Sequence, residues 1–384
     1  MDIPMTYKYV YLDNAASTFP KPLSVINRMN NAMRYNTANP GRSGHRLSNQ
    51  NAEIIYKARK TAADFFGITD SPENIVFTHS ATHSINIAIN GLIENGDSVI
   101  ISDLEHNSVL RPLAEREKDG MITLKIAETS TYDDETVENF RKLIDAKTKM
   151  IFVTHASNVK GNTLPIEKIG KLCKDHGILF CVDSSQTAGH LKCDINSLGA
   201  DILCTSGHKG LFGPQGTGLL VFSEKIPIKP LIFGGTGGSS LMKTQPFELP
   251  ESLESGTQNT AGIAGLDEGI KFVRTHEKEI HAKEKKLYGL AFQGLSECKG
   301  ITIYSDRYNR TPTLAFNIGD MPSEKVTEIL DSKGICVRGG FHCAALFHEK
   351  MKTTQQGMVR ASFSWFNTEE QIKLFVKICR LISR

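Results

Sequence analysis

The chain has 384 residues, of which 40% are hydrophobic and 23% are charged, and this length favours two domains over one. The formal net charge is only +3, and Lys and Arg are mixed with acidic residues, so the charge does not indicate binding to nucleic acid or to a membrane surface. Eight cysteines in a chain of this length do not suggest a disulfide framework, and their spacing predicts no metal site.

The N-terminal segment also lacks the pattern of a secretory signal, because no charged stretch is followed by an apolar one. No apolar run reaches the length that a membrane-spanning helix needs. We therefore expect a cytoplasmic protein with no membrane or nucleic-acid partner. Most of the cysteines, such as Cys181 and Cys204, lie in apolar runs and are expected to be buried.

Short apolar runs alternate with helical patterns along the chain. The predicted strands cover residues 75–78, 98–102, 150–154, 178–182, 201–205, 218–222 and 313–317. The predicted helices cover residues 82–92, 166–176, 262–294, 323–333 and 368–381, with a turn-rich segment at 233–256. This alternation predicts an α/β fold with a mostly parallel sheet in a large domain (1–255) and a smaller C-terminal α+β domain (256–384).

Lys209 is the first candidate for catalysis. It lies in the sequence SGHKG directly after a predicted strand, and the carboxyl ends of strands are where α/β sheets bind ligands. A lysine amine that is partly neutral forms an imine with an aldehyde cofactor. The glycines that follow in GLFGPQGTG let the backbone approach closely. A lysine in this position is more often an ordinary surface residue, so Lys209 needs support from other residues.

Asp183 ends the apolar run at 178–182, and a carboxylate buried there needs a cationic partner. The protonated pyridine nitrogen of pyridoxal phosphate would be such a partner. Gln186, three residues later, is placed to reach the phenolic oxygen of the same ring. Considered alone, a helix N-cap is the better interpretation of Asp183.

The segment THSATHS at 78–84 lies between a predicted strand and a predicted helix, and a helix N-terminus favours anions. The Ala81 N–H and Thr82 are candidate donors to a cofactor phosphate. Ser80 or Thr82 could instead only cap the helix, and both roles are compatible. His106 follows the next predicted strand, and its flat imidazole is a candidate for stacking on the pyridine ring.

Several segments occur in order along the chain: YLDNAAST (11–18), LEHNS (104–108), HASNVKG (155–161), VDSSQTAGH (182–190), SGHKGLFGPQGTG (206–218) and ESGTQNTAGIAGL (254–266). Together they resemble the class V branch of the fold-type I pyridoxal-phosphate enzymes. Within this branch the chain is most similar to the cysteine desulfurase and selenocysteine lyase family. The resemblance implies the fold-type I transferase fold, pyridoxal 5′-phosphate as cofactor and a homodimer.

The same resemblance implies roles for single residues. Lys209 would form the Schiff base and move protons. Asp183 would bind the pyridine nitrogen and Gln186 the phenolic oxygen, while His106 would stack on the ring. The residues implied at the cofactor phosphate are Ala81, Thr82, Ser206 and His208, together with Thr257 from the neighbouring subunit. The residues implied for substrate binding are Asn158, Arg360 and Arg338, and Arg42 and His45 match a loop near the substrate entrance.

The segment VRGGFHCA at 337–344 resembles the active-cysteine loop of the short-loop desulfurase branch. Cys343 is expected to be exposed on this Gly-flanked loop, with Arg338 and His342 as cations that favour its reactive thiolate form. The hypothesis is a cysteine desulfurase that converts L-cysteine to L-alanine and holds the sulfur as a persulfide on Cys343. Without the cofactor motifs, an inert surface cysteine would be the better interpretation.

Three other functions stay open from the sequence. A selenocysteine lyase would have nearly the same residues but need not depend on Cys343, because a selenol leaves more easily than a thiol. A class V aminotransferase would need a keto-acid acceptor, and a protein with this fold could also be a scaffold without catalysis. The acceptor protein for the sulfur is not indicated, and its pathway could be iron–sulfur cluster assembly, tRNA thiolation, synthesis of a sulfur-containing cofactor or selenium metabolism.

Overall fold

The structure is a computed structural model that describes residues 9–40, 44–308 and 311–384. Helices α1 to α10 are, in chain order, Leu23–Tyr35, Arg46–Phe66, Ala81–Leu92, Asn107–Lys118, Asp133–Leu143, Ile166–His176, Thr260–Ser296, Ser323–Ser332, Ala345–Lys350 and Glu369–Ile382. Strands β1 to β12 are, in chain order, Val10–Tyr11, Ile75–Thr78, Ser98–Ser102, Thr123–Ala127, Thr148–Thr154, Leu179–Asp183, Ile202–Ser206, Gly218–Phe222, Ile301–Ile303, Thr313–Ile318, Ile335–Cys336 and Val359–Ser362.

The largest sheet of the described residues has seven strands in the order β2-β8-β7-β6-β5-β3-β4. Strands β7, β6, β5, β3 and β4 are parallel to one another, whereas β8 is antiparallel to both β2 and β7. The predicted strands of this sheet begin and end within two residues of the observed bounds. The expectation of an α/β fold with a mostly parallel sheet is confirmed.

Both faces of this sheet are covered by helices. Along β3, Ile100 packs into a cluster with residues of α2 and α6, whereas Val99 and Ile101 pack into a second cluster with residues of α3 and α4. Successive side chains of a strand point to opposite faces, so two covered faces require an apolar side chain at nearly every position. This requirement explains the short, continuous apolar runs in the sequence.

The C-terminal part of the chain has its own small sheet and core. Strands β12, β10 and β9 form an antiparallel sheet in that order, and β1 from the N-terminus pairs in parallel with β11. The core beneath them contains Phe316, Val359 and Phe375. Helix α7 packs against α1, α2 and α10, with a kink at His276. The division of the chain at residue 255 stays a prediction.

The cysteines are distributed as the sequence predicted: Cys343 is exposed, Cys336 is half-buried and the other six are buried, including Cys181 and Cys204. No group of three or more His, Cys, Asp or Glu side chains is arranged to bind a metal ion within the described ranges. In the same ranges, no helix is both long and apolar enough to cross a membrane.

The topology brings the candidate residues to one edge of the large sheet. Four neighbouring parallel strands, β7, β6, β5 and β3, end at this edge. Lys209 follows β7, Asp183 ends β6, Asn158 follows β5 and His106 follows β3. Because parallel strands present all their carboxyl ends on the same side, residues that are far apart in sequence meet there.

Candidate active site

A cavity of about 240 Å³ lies at the carboxyl edge of the sheet. The sequence-predicted residues that line it are Ala81, Thr82, His106, Asn158, Asp183, Gln186, Ser206, His208, Lys209, Arg338 and Arg360. Two residues predicted for catalysis or cofactor binding do not line the cavity. Cys343 lies on the neighbouring loop, and Thr257 is exposed on the surface.

Lys209 combines a cationic side chain with a buried environment. Burial lowers its pKa to about 8; Asp183 opposes this shift, and Arg360 adds to it. The amine is therefore partly neutral near pH 8, which imine formation requires. The next residue must be glycine, because a Cβ on Gly210 would lie 2.4 Å from the Ala188 carbonyl oxygen.

Asp183 and Gln186 lie on the turn after β6. The Asp183 side chain is nearly buried, and its Oδ1 accepts a hydrogen bond from the Ser185 N–H at 2.9 Å. No helix begins at this turn, so Asp183 is not a helix N-cap. Gln186 Nε2 donates to the Ala15 carbonyl oxygen at 3.1 Å. Because a buried carboxylate is costly unless it is paired, a cationic group of a ligand would stabilise Asp183.

His106 is fixed in orientation as the N-cap of α4. Its Nδ1 accepts a hydrogen bond from the Ser108 N–H at 3.0 Å, so the ring proton lies on Nε2. Burial, reinforced by the Lys209 charge, lowers the pKa of His106 to about 4. The imidazole is therefore neutral at pH 7, and its ring is held rigidly at the cavity.

The N-terminus of α3 and the end of β7 line the same cavity and are candidates for binding an anion. Ser80 is the N-cap of α3, where its side chain accepts from the His83 N–H at 3.2 Å. The first backbone N–H groups of a helix have no partner within the helix, and those of Ala81 and Thr82 lie at the cavity. In the described part of the chain, the buried Ser206 Oγ and His208 Nδ1 have no hydrogen-bond partner.

Arg360 is a buried residue of the cavity lining. Its Nη1 donates to the Asn158 carbonyl oxygen at 2.9 Å, and its Nη2 donates to Asp13 Oδ1 at 2.6 Å. Within the described ranges, Arg360 Nε has no hydrogen-bond partner. The Asn158 amide donates to the His342 carbonyl oxygen at 2.6 Å. A guanidinium with a free N–H in a closed site suits a carboxylate ligand.

Cys343 lies on a tightly shaped loop beside the cavity. Both His342 and Cys343 have left-handed backbone conformations, with φ values of 51° and 56°. The Cys343 carbonyl oxygen accepts from the Asn107 N–H at 2.8 Å, next to His106. Burial and the charge of Arg360 hold the pKa of His342 well below its usual value, so the expectation that His342 is a cation is wrong. Arg338 is the remaining candidate cation for the thiolate.

The sequence analysis missed two charged residues that support the site. Asp13 pairs with Arg360, and its only sequence signal was its place in the YLDNAAST segment. Lys21 Nζ donates to the His208 carbonyl oxygen at 2.7 Å, and burial lowers the pKa of Lys21 to about 7. Of the two entrance candidates, Arg42 lies outside the described residues, and His45 is the N-cap of α2.

The polar groups of the cavity fit pyridoxal phosphate. The unpaired Ser206 Oγ and His208 Nδ1 and the N-terminus of α3 are available for a phosphate, Asp183 supplies an anion, and Lys209 supplies an amine. Each group matches a different part of the cofactor: the phosphate, the ring nitrogen and the aldehyde. The cavity therefore contains a matching group for each of these three parts of the cofactor.

Comparisons with known proteins agree with this chemistry. The family model for the class-V aminotransferases matches residues 10–375. The chain belongs to the class-V aminotransferase family. A "Probable cysteine desulfurase" of Methanothermobacter thermautotrophicus is 36% identical over 97% of this chain and 94% of that protein. A relative of the same description from Pyrococcus abyssi is 34% identical over 98% of this chain and 95% of that protein.

A solved structure shows the same similarity in three dimensions. The apo structure of cysteine desulfurase from Thermococcus onnurineus NA1 matches with a TM-score of 0.90 and 32% sequence identity. The match covers 98% of this chain and 95% of that one. The expected fold is therefore confirmed over both the large sheet and the small C-terminal sheet.

Proposed function

We propose that this chain is a cysteine desulfurase, which converts L-cysteine to L-alanine and takes up the sulfur as a persulfide on Cys343. The observation that carries the proposal is the position of Cys343. It is the exposed cysteine of the chain, and its backbone is hydrogen-bonded to Asn107, beside the neutral His106 of the cavity that holds Lys209. An aminotransferase needs no thiol at this position.

The cofactor of the proposed reaction is pyridoxal 5′-phosphate. Lys209 would hold it covalently, Asp183 would face the ring nitrogen, Gln186 the phenolic oxygen, and His106 the ring face. The phosphate would bind at Ala81, Thr82, Ser206 and His208. When bound, the cofactor withdraws electrons from the substrate Cα.

The chain's own residues bind the substrate and move its protons. Arg360 and Arg338 line the same cavity as Lys209, and they would hold the substrate carboxylate there. Asn158, which contacts both Arg360 and the Cys343 loop, would orient the bound amino acid. Lys209, whose pKa is about 8, would take the proton from Cα, because a base works best when its pKa is near the working pH.

Cys343 would then act as a nucleophile. Its thiolate attacks the sulfur of the substrate, a bond forms between the two sulfur atoms, and the bond between the substrate Cβ and its sulfur breaks. Cβ gains a proton, Lys209 returns a proton to Cα, and the amino acid leaves as L-alanine. The exposed position of Cys343 gives a protein acceptor access to the persulfide. Neither the acceptor nor its pathway is indicated by these residues.

The proposal includes a homodimer. Thr257 is exposed and lies outside the cavity of its own chain, as a residue that serves a neighbouring subunit would. The segment at 223–259 that carries it also has solvent-exposed Phe233, Leu241 and Phe247. Apolar side chains grouped on a surface mark an interaction site. The cytoplasmic location stays a prediction from the sequence.

The proposal is tested by product formation from L-cysteine with enzyme loaded with pyridoxal phosphate. Alanine and protein persulfide are measured for the wild type, Cys343→Ser and the control Cys336→Ser, which alters the half-buried cysteine. The wild type and the control should form both products, and Cys343→Ser should form neither. Persulfide formation by Cys343→Ser at the wild-type rate would overturn the mechanism.

Other outcomes would replace the proposed function. Release of selenium from selenocysteine by the wild type and Cys343→Ser, with no action on cysteine, would identify a selenocysteine lyase. Turnover that requires pyruvate and produces no sulfide would identify an aminotransferase. A protein that stays colourless with added pyridoxal phosphate would be a scaffold without catalysis.

A further inference from the structure

The loop that carries Cys343 is held by two hydrogen bonds from residues that follow strands of the large sheet. The Asn107 N–H donates to the Cys343 carbonyl oxygen at 2.8 Å, and the Asn158 amide donates to the His342 carbonyl oxygen at 2.6 Å. Both loop residues have left-handed backbone conformations, which are unfavourable for residues other than glycine. Contacts from outside the loop are therefore needed to maintain its shape.

A second attachment lies at the end of helix α9, which begins two residues after Cys343. Lys350, the last residue of this helix, donates to Asp103 Oδ2 at 2.7 Å and to Thr129 Oγ1 at 3.0 Å. It also donates to the Thr129 carbonyl oxygen. The three hydrogens of the ammonium group therefore have three acceptors in one place.

The ion pair between Lys350 and Asp103 is more buried and has more hydrogen bonds than an ordinary surface ion pair. Asp103 directly follows β3, and its side chain is only 11% exposed, while that of Lys350 is 27% exposed. Thr129 braces the carboxylate, because its Oγ1 donates to Asp103 Oδ1 at 2.6 Å and its N–H donates to Asp103 Oδ2 at 3.2 Å. Partly buried, charge-assisted hydrogen bonds of this kind are stronger and more directional than exposed pairs.

One contact from each group involves the segment 103–107, which also contains His106, the residue expected to face the cofactor ring. Asn107 hydrogen-bonds to Cys343, and Asp103 hydrogen-bonds to Lys350 at the end of α9. We propose that Lys350 and Asp103 are positioning residues that set the reach of Cys343 towards the substrate. The inference rests on the proposed desulfurase function. A displacement of about 1 Å can slow a reaction roughly 100-fold, so a fixed loop matters for the attack on sulfur.

The test compares two reactions of the same enzyme loaded with pyridoxal phosphate. Persulfide formation from L-cysteine requires Cys343, whereas exchange of the Cα hydrogen of L-alanine in D₂O requires Lys209 but not the thiol. Lys350→Met should lower kcat for persulfide formation by about 10- to 100-fold. It should leave the exchange rate and the KM for L-cysteine within about twofold of wild type, because the cavity itself is unchanged.

Two further variants make the comparison specific. Lys350→Arg keeps the cation and should restore most of the persulfide rate. Lys125→Met removes a matched lysine, since Lys125 Nζ lies 2.6 Å from Asp145 and donates to the Leu143 carbonyl oxygen, far along the chain from the Cys343 loop. This control should keep both rates.

A second measurement follows the accessibility of Cys343 and does not depend on the cofactor. In the apoenzyme, iodoacetamide should alkylate Cys343 several-fold faster in Lys350→Met than in wild type, because the loop is less constrained; the Cys343 peptide is quantified by mass spectrometry. If Lys350→Met does not fold, Asp103→Asn replaces it. Equal loss of both reactions, or an unchanged persulfide rate, would overturn the inference. A wild type that forms no persulfide would instead overturn the proposed function.

Discussion

Arg360 in β12 and Asp13, which follows β1, form an ion pair with 2.6 Å between Arg360 Nη2 and Asp13 Oδ1. The Arg360 side chain is only 1% exposed, whereas that of Asp13 is 22% exposed. The pair means that the arginine proposed to bind the substrate carboxylate already has one anionic partner. Asp13 therefore acts as the counter-ion of a buried cation, and substrate would supply a second carboxylate to the same guanidinium.

Asp13→Asn should destabilise the protein by about 3 kcal/mol, because it leaves the buried Arg360 without an anion. L-alanine should then stabilise this variant more than it stabilises the wild type, since the carboxylate of the ligand replaces the missing charge. Thermal unfolding of the cofactor-loaded protein with and without L-alanine measures both effects. Asp145→Asn, which breaks the exposed pair with Lys125, is the control and should respond to L-alanine as the wild type does. An equal response of Asp13→Asn and wild type would contradict the prediction.

The lowered pKa of Lys209 predicts how imine formation depends on pH. Only the neutral amine attacks an aldehyde, so the rate should rise with pH and level off above the pKa of about 8. At pH 7 about a tenth of the amine is neutral, compared with fewer than about 1 in 1,000 at an unperturbed lysine. The rate at which the apoenzyme binds pyridoxal phosphate, followed by absorbance from pH 6 to 10, measures this midpoint.

Asp183→Asn should shift the same midpoint to lower pH, because the Asp183 carboxylate raises the pKa of Lys209. Lys209→Ala should show no imine absorbance at any pH. A midpoint near 10.5 in the wild type would show that burial does not lower the pKa of the Lys209 amine.

The pair between Arg59 and Glu254 should be important for stability. Glu254 binds both guanidinium nitrogens of Arg59 at 2.8 Å, and the two side chains are 8% and 7% exposed. Glu254→Ala should lower the free energy of unfolding by about 3 kcal/mol, because it leaves a buried cation unpaired. Urea denaturation measures the loss. Glu94→Ala breaks the fully exposed pair with Lys229 and should cause no measurable change.

The exposed apolar side chains at 223–259 should lie in the dimer interface. Changing Phe233, Leu241 and Phe247 together to serine should weaken the dimer by at least tenfold, because these side chains are 71%, 99% and 86% exposed in the single chain. Analytical ultracentrifugation over a range of protein concentrations measures the dissociation constant. Tyr132→Ser, at a side chain that is 73% exposed and lies outside this segment, is the control. A triple variant that dimerises as tightly as the wild type would place the interface elsewhere.

Local sequence patterns predicted the fold class, together with five of the ten helices and seven of the twelve strands that the structure describes. The strands at 98–102 and 218–222 and the helix at 166–176 were predicted with the observed bounds, because continuous apolar runs and helical periodicity reflect burial directly. The antiparallel direction of β8 was not predicted, since an apolar run of five residues is the same in either direction. The pairing of β1 with β11 was also missed, because two residues are too few to form a pattern.

The sequence by itself determined which residues are candidates for the chemistry, and the tertiary structure decided their charges and partners. Lys209, Asp183 and His106 stand out because each lies at or after the carboxyl end of a buried strand, and strand order brings such residues together. The neutral state of His342, the counter-ion at Arg360 and the attachment of Lys350 to Asp103 have no local signal. Desolvation and ion pairing depend on distances between residues that are hundreds of positions apart, and only the folded chain sets those distances.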